Sequence, residues 1–375
     1  MIYPSASLRE LGVSVLDCEH KTPKPVASGH PYIAIPDIQD GRIVLATARQ
    51  ISDEDLAEWT RRTTPRSGDL VVTRRGRVGD AAPIPDGLKC AIGQNLVLLR
   101  SNGLDIDQSF LRWAARSDQW LGEVARLINV GAIFSSLNVK DIARIRIPKP
   151  PKSEQRAIAE VLGALDDKIA TNTRLAATAI ELVMSRFARL LRQSRSESVP
   201  VESLVRRLVQ PRKFAAPDFF ARGDFPVYDQ SAAGFLGYAQ GSGSLEASAK
   251  NPILYFGDHT CILRLSIERF AVGPNTVPFV GFEIPSIVLF CALQGAQKHE
   301  EYKRHWQDLM TRYVEVPTRD AADDFAVQNT PIFELRDALG AENQTLAATR
   351  DALLPQLMSG KLRVRDAEQA VEAVV

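Results

Sequence analysis

The sequence predicts an α+β fold built twice: two pseudo-twofold-related α/β domains separated by two long helices that pair as an antiparallel coiled coil. Three observations carry this. Short β-rich runs bounded by Gly, Pro, Asp or Asn fill residues 1–150 and again the stretch after residue 196. Each β-rich block is followed by a run of about 40 residues with an apolar stripe at near-3.5-residue spacing. The whole unit then recurs at an offset of 170 to 180 residues.

The chain has 375 residues, room for two or three domains each with its own core. Hydrophobic content of 45% and charged content of 24% are those of a globular protein, and no apolar run approaches the roughly 20 residues of a membrane span. The start, "MIYPSASLRELGVSVLD", has no basic segment followed by an apolar block, so no signal peptide and a cytoplasmic location are expected. Cys18, Cys90, Cys261 and Cys291 are far apart, which fits buried reduced thiols better than a zinc site or disulfides. With a net charge of +1, a nucleic-acid partner has to be met by local basic patches.

In order along the chain, residues 1–150 form the first domain. Its strand signals are "PYIAIPDI", "RIVLA", "DLVVT" and "NLVLLR", with helical spacing in "DQSFLRWAARSDQWLGEVARLI". "IARIRIP" reads as a half-exposed closing strand, and "PKPP" stops it. Segment 151–196 holds the first long helix, with the helical run placed at 153–192 and Ser153 as its N-cap. Its stripe is Ile158, Leu162, Leu165, Ile169, Asn172, Ala176, Ala179, Val183 and Leu190. Asn172 in that stripe is either a register-fixing residue or a polar accident in a solvated stretch.

The second domain occupies 197–318, with strand signals in "ILYF" and "CILRLSI". Segment 319–362 holds the second long helix, with the run at 328–360 and a stripe of Ile332, Leu335, Leu339, Glu342, Leu346, Thr349, Leu353 and Leu357. Pro331 lies where that helix should already be running, so its first turns are expected to be frayed or displaced. Residues 363–375 are a C-terminal tail.

The repeat can be followed residue by residue. "LAAT" occurs at 175–178 and 346–349, with Asn172 matching Asn343 at an offset of 171. The stripes align at 170, as in Ile169 with Leu339 and Val183 with Leu353, so one residue of phase separates the two halves. "RIRIP" corresponds to "YVEVP", and "IGQNLV" resembles "VGPNTV" 180 residues later.

Two similar domains on paired helices suggest a ruler. At ~1.5 Å per residue, about 40 helical residues extend ~60 Å, and half-sites on one face of duplex DNA repeat every ~34 Å. Arg61, Arg62, Arg74, Arg75 and Arg77, within "RRTTPRSGDLVVTRRGRVGD", are candidates for phosphate or guanine contacts. In the second domain the candidates are Tyr228, Gln230 and Ser231 on a Gly-flexed loop, with His259, Arg264, Lys298 and Arg304 adding charge. The competing reading of both sets is solvated strand and loop surface.

Several stretches together resemble the specificity subunit of type I restriction-modification systems: "LNVKDIARIRIPKPPKSEQRAIAEVLGALDDKI", "DCEHKTPKP" before "PYIAIPDIQDGRIV", "GDLVVTRRGRVGD", and the terminal "LLPQLMSGKLRV". The resemblance implies two target-recognition domains, each reading half of a bipartite double-stranded DNA target. It also implies that the helices set the gap and dock two methyltransferase subunits, with a motor-nuclease subunit where one exists. This chain would then be non-catalytic and bind no cofactor or metal, S-adenosylmethionine belonging to its partners. The second helix departs from the pattern, since it lacks the Pro-Pro-x-x-Glu-Gln start.

Other classes fit less well. A DNA methyltransferase needs a Gly-rich cofactor loop and an Asp/Asn-Pro-Pro-aromatic tetrad, and "NPIL" at 251–254 lacks the second Pro and the aromatic. A metal nuclease needs clustered carboxylates, whereas "SDEDLAEW" reads as a helix start. A coiled-coil adaptor with two protein-binding domains accounts for the helices but not for the polar, Gly-hinged loops.

Overall fold

The computed structural model describes residues 3–46, 48–128, 135–297 and 304–372. The chain divides into two compact units, Met1–Ile169 with Thr345–Val375, and Ala170–Gln344. Both contain strands and helices, so the α+β class holds.

In the first unit a four-stranded antiparallel sheet runs in the order Val13–Asp17, Leu96–Ser101, Leu70–Thr73, Ala81–Pro83. A three-stranded sheet places His30–Ile33 between antiparallel Arg49–Ile51 and parallel Ala91–Ile92. Ser5–Ser7 pairs with Arg146–Pro148 to close the domain. In the second unit the same orders recur: Val205–Arg207, Thr276–Gly281, Ile253–Gly257, Leu263–Ser266, and then Phe235–Ala239, Phe225–Tyr228, Ala271–Val272. Ser196–Pro200 pairs with Tyr313–Pro317. The internal repeat is thus a repeat of topology, including a parallel pair in each half.

The first long helix is Lys152–Gln193, and its start is held from outside. Pro151 supplies the first helical acceptor, to Gln155 N at 3.0 Å. Pro151 is therefore the cap, and Ser153, expected there, lies inside the first turn. Gln155 is buried; its Oε1 accepts from Asp107 N at 2.7 Å, and its Nε2 donates to Asp105 O at 3.0 Å and Pro150 O at 2.9 Å. Glu154 accepts from the Tyr3 hydroxyl at 2.6 Å. The Glu-Gln pair of the motif ties the helix to its domain.

Most of the expected stripe is interior. Ile158, Leu162, Leu165 and Val183 are fully buried, Asn172 is buried and Ile169 half-buried. On the second helix Leu339, Leu346, Leu353 and Leu357 are buried. Within the first unit the early stripe packs with Leu346, Leu353 and Leu357, and within the second Val183 and Phe187 pack with Phe325 and Phe333. Partners run in opposite directions: Asn172 Nδ2 donates to Glu342 at 2.8 Å, and Arg186 to Asn329 at 3.1 Å, so the pairing is antiparallel. Asn172–Glu342 and Thr173–Asn343, at 3.2 Å, join residues 170 apart, the repeat length itself.

Two expectations for the second helix fail. It runs unbroken over Arg319–Ser359, starting well before residue 328, and Pro331 sits inside it. Pro331 has no N–H for the Val327 carbonyl, but that face is open, Val327 being 74% exposed, so water can take the bond. Asn329 and Thr330 turn their side chains onto Phe325 O and Ala326 O, both at 2.8 Å. Leu335, expected in the stripe, is 43% exposed, while Phe333 is fully buried. The seam position falls instead to Arg336, whose guanidinium lies 5.0 Å from the Phe333 ring and donates to Leu265 O at 2.7 Å. Burial follows an offset of 171 up to Phe333, which matches Leu162, and of 170 from Leu339 on, so the phase slips where Leu335 stands.

An ionic hub anchors the first domain to the helices of its unit. Asp166 is 1% exposed and faces Arg350 at 2.6 Å, Arg42 at 3.4 Å, Arg116 at 3.7 Å and Arg112. Burial alone would raise its pKa, but the arginines outweigh this and hold it below the usual carboxylate range. Asp166→Asn leaves four guanidiniums around a neutral amide and should lower unfolding free energy by about 3–5 kcal/mol at neutral pH. A depressed folded pKa gives stability that is full above the unfolded value of about 4 and lost as pH falls through the folded one. Urea unfolding should therefore show the difference between wild type and variant shrinking below about pH 4; a constant difference would contradict the hub.

Candidate nucleic-acid interface

The arginine-rich part of the first domain is built around the segment at residues 17–20. Leu70–Thr73 ends at Arg74, whose Nη1 lies 3.6 Å from Asp17 and whose Nε donates to Leu137 O at 3.2 Å. Arg61 and Arg62 reach the buried Glu19 at 3.7 and 3.0 Å. Three of the five arginines expected to meet DNA thus converge on two carboxylates. Arg77 pairs with Asp80 at 3.0 Å and donates to Ile35 O at 3.1 Å and to Ile38 O, bracing the neighbouring loop. Arg75 is exposed and makes no ion pair among the described residues.

Asp17, Cys18 and His20 put potential ligand atoms within 4.8 Å of one another. The site is poor for a cation. Burial pushes the Cys18 thiol up to about 11, and it donates to Gly93 O at 3.1 Å and Leu96 O at 3.3 Å, while Arg74 stands beside Asp17.

In the second domain Tyr228 is half-buried at the end of the strand Phe225–Tyr228. Its ring stacks on Tyr255 at 5.7 Å with an interplanar angle of 6°, and burial pushes its hydroxyl up to about 12. Gln230, Ser231, His259 and Arg264 do come together, but their polar atoms are engaged with one another's loops. Gln230 Oε1 accepts from His259 N at 2.9 Å, and the Ser231 hydroxyl donates to Asp229 at 2.6 Å. Arg264 donates to the carbonyls of Asp229, Ser231 and Ala232 at 3.1, 2.9 and 2.8 Å. Gly234, at φ +73°, lets that guanidinium in, since a Cβ there would lie 2.6 Å from its central carbon. Arg304 is 75% exposed and 4.0 Å from Asp258. Lys298 lies outside the described residues.

In sequence "IGQNLV" stands out only as half of a repeat, and nothing there singles out the amide pair within it, Gln94 and Asn95. The Asp166 hub is likewise invisible in sequence, its members being too far apart to be grouped by spacing. Among the described residues no helix is long and apolar enough to cross a membrane.

Comparison with known proteins agrees with this architecture. Residues 20–180 match the family model for the Type I restriction modification DNA specificity domain. The putative type I restriction enzyme MjaX specificity subunit of Methanocaldococcus jannaschii is 34% identical over 101 residues, 27% of this chain and 23% of that protein. The match therefore spans about a quarter of that relative's length. The crystal structure of the Type-I restriction-modification system S subunit from M. genitalium superposes with a TM-score of 0.59 at 16% identity, covering 95% of this chain and 96% of that one. At that identity the likeness is one of fold. Residues 20–180 are thus similar to a type I restriction modification DNA specificity domain, and the chain shares the fold of the M. genitalium S subunit over nearly its whole length.

Arg264→Met keeps the aliphatic stem and removes three bonds to loop carbonyls. Amide hydrogen exchange at Ser231 and Gly234 should then accelerate at least about ten-fold, each bond contributing roughly 1 kcal/mol or more. Unchanged protection would show that the loop is held by other contacts.

Proposed function

We propose that the chain is the DNA-reading, non-catalytic subunit of a type I restriction-modification assembly. Domain 1–150 reads one half of a bipartite target in double-stranded DNA and domain 197–318 the other. The paired helices set the gap and dock methyltransferase subunits, two per chain, with a motor-nuclease subunit joining where one exists. The partners carry the methyl-transfer chemistry and the S-adenosylmethionine.

One observation supports this above the others. The two domains have the same strand order, and the helices between them hydrogen-bond at residues one repeat apart. Pairing between repeat equivalents fits a duplicated reader, one copy for each of two half-sites. The positioned loops supply the rest: Arg264 and Gln230 fix the shape of one, and Arg77 that of another, so their order precedes any contact with DNA.

Methylation mapping by single-molecule sequencing, in cells with and without this gene and with the neighbouring methyltransferase present, tests the reading. Loss of one gapped, bipartite motif on deletion is expected. No change with the methyltransferase active would remove the assignment and favour a protein-binding adaptor. For the purified complex, Arg75→Ala should weaken binding to all sequences and reduce the slope of log affinity against log salt by about 1. An unchanged slope would leave Arg75 as solvated surface.

A further inference from the structure

The two domains share one turn whose backbone is held alike but whose tip differs. In the first domain it lies at residues 93–95, before Leu96–Ser101, and in the second at 273–275, before Thr276–Gly281. Gly93 N donates to Ile33 O and Gly273 N to Tyr228 O, both at 2.7 Å. Arg74 N holds Asn95 O at 2.8 Å, and Asp258 N holds Asn275 O at 2.9 Å. The first turn is fixed further by Leu96 N to Gly93 O at 2.9 Å and by the Cys18 thiol.

On this fixed backbone sit two uncommitted amides. The described Asn and Gln side chains elsewhere in the first domain are engaged: Gln39, Gln50, Gln108 and Gln119 donate to backbone carbonyls, Asn102 caps Leu104 N, and Asn138 bonds Asp141. Gln94 and Asn95 make no side-chain hydrogen bond among the described residues, and Gln94 is exposed. Both line a cleft of about 460 Å³ with Thr22, Tyr32 and Arg49. Arg75 follows directly on the residue that holds Asn95.

A carboxamide presents a donor and an acceptor side by side, the pattern that fits adenine N6 and N7 in the major groove. A rigid backbone lowers the entropy lost on contact. We infer that the turn at residues 93–95 is the base-reading element of the first domain, with Gln94 contacting a base edge, adenine by preference. The equivalent residue, Pro274, has no side-chain donor or acceptor, so the second domain lacks this contact and reads its half-site otherwise. The inference rests on the DNA-reading function proposed above.

The test uses full-length Gln94→Ala and Gln94→Glu with the partner methyltransferase in cells, methylation being mapped by single-molecule sequencing. Gln94→Ala should relax one position of one half-site, lowering base preference there about ten-fold or more, with the other half-site and the gap unchanged. Gln94→Glu, which can only accept, should move that position from adenine towards cytosine, whose N4 donates. The amide is uncharged, so the salt slope of binding by Gln94→Ala should match wild type. An unchanged motif in both variants, or a change confined to the other half-site, overturns the inference and leaves the DNA-reading function standing. A wild-type protein that directs no gapped motif removes that function, and the inference with it.

Discussion

Burial of two long apolar stripes is the constraint on which the rest of the structure depends. A helix of 42 residues such as Lys152–Gln193 cannot leave Ile158, Leu162, Leu165, Val183 and Phe187 in water, since each buried side chain of this size is worth about 1.5–3 kcal/mol. Its own domain covers only part of the stripe. The other helix supplies the remainder, and the pairing is antiparallel, as the partners Asn172–Glu342 and Arg186–Asn329 show. A polar interval interrupts the apolar contacts at Asn172 and Glu342. Sliding either helix by one turn would separate the buried Asn172 amide from its carboxylate partner, which favours this register.

The domains are joined to their helices by different chemistry despite the repeated topology. In the first unit the junction is charge around a buried carboxylate, with Gln155 and Glu154 securing the helix start. In the second unit Arg336 holds Leu265 O and packs on Phe333, and the Tyr238 hydroxyl donates to Gln344 at 2.5 Å. The topology is thus repeated while the junction chemistry is not.

Much of this was legible in sequence because the dominant signals are periodic. The stripe of the first helix, the strands "DLVVT" and "NLVLLR", and the duplication all follow from spacing, and the structure places them as expected. The failures have local causes. Hydrophobicity alone puts Leu335 in the stripe, but one residue of phase is lost there and Arg336, its guanidinium over the Phe333 ring, takes the inward position. Pro331 predicts frayed or displaced first turns, yet a helix already established over three turns, with its proline face in water, continues through it. For Arg264, Gln230 and Tyr228, candidates for contact because their side chains can hydrogen-bond, the surroundings are what spacing leaves out. Sequence does not reveal that their polar atoms or rings are already engaged inside the domain.

The central claim is that the helix pair fixes the distance between the two proposed readers. Deleting one seven-residue repeat from each long helix, at facing positions so that the seam stays in register, tests it directly when the methylated motif is then mapped. The account predicts a shorter gap flanked by the same two half-sites. An unchanged gap would contradict it.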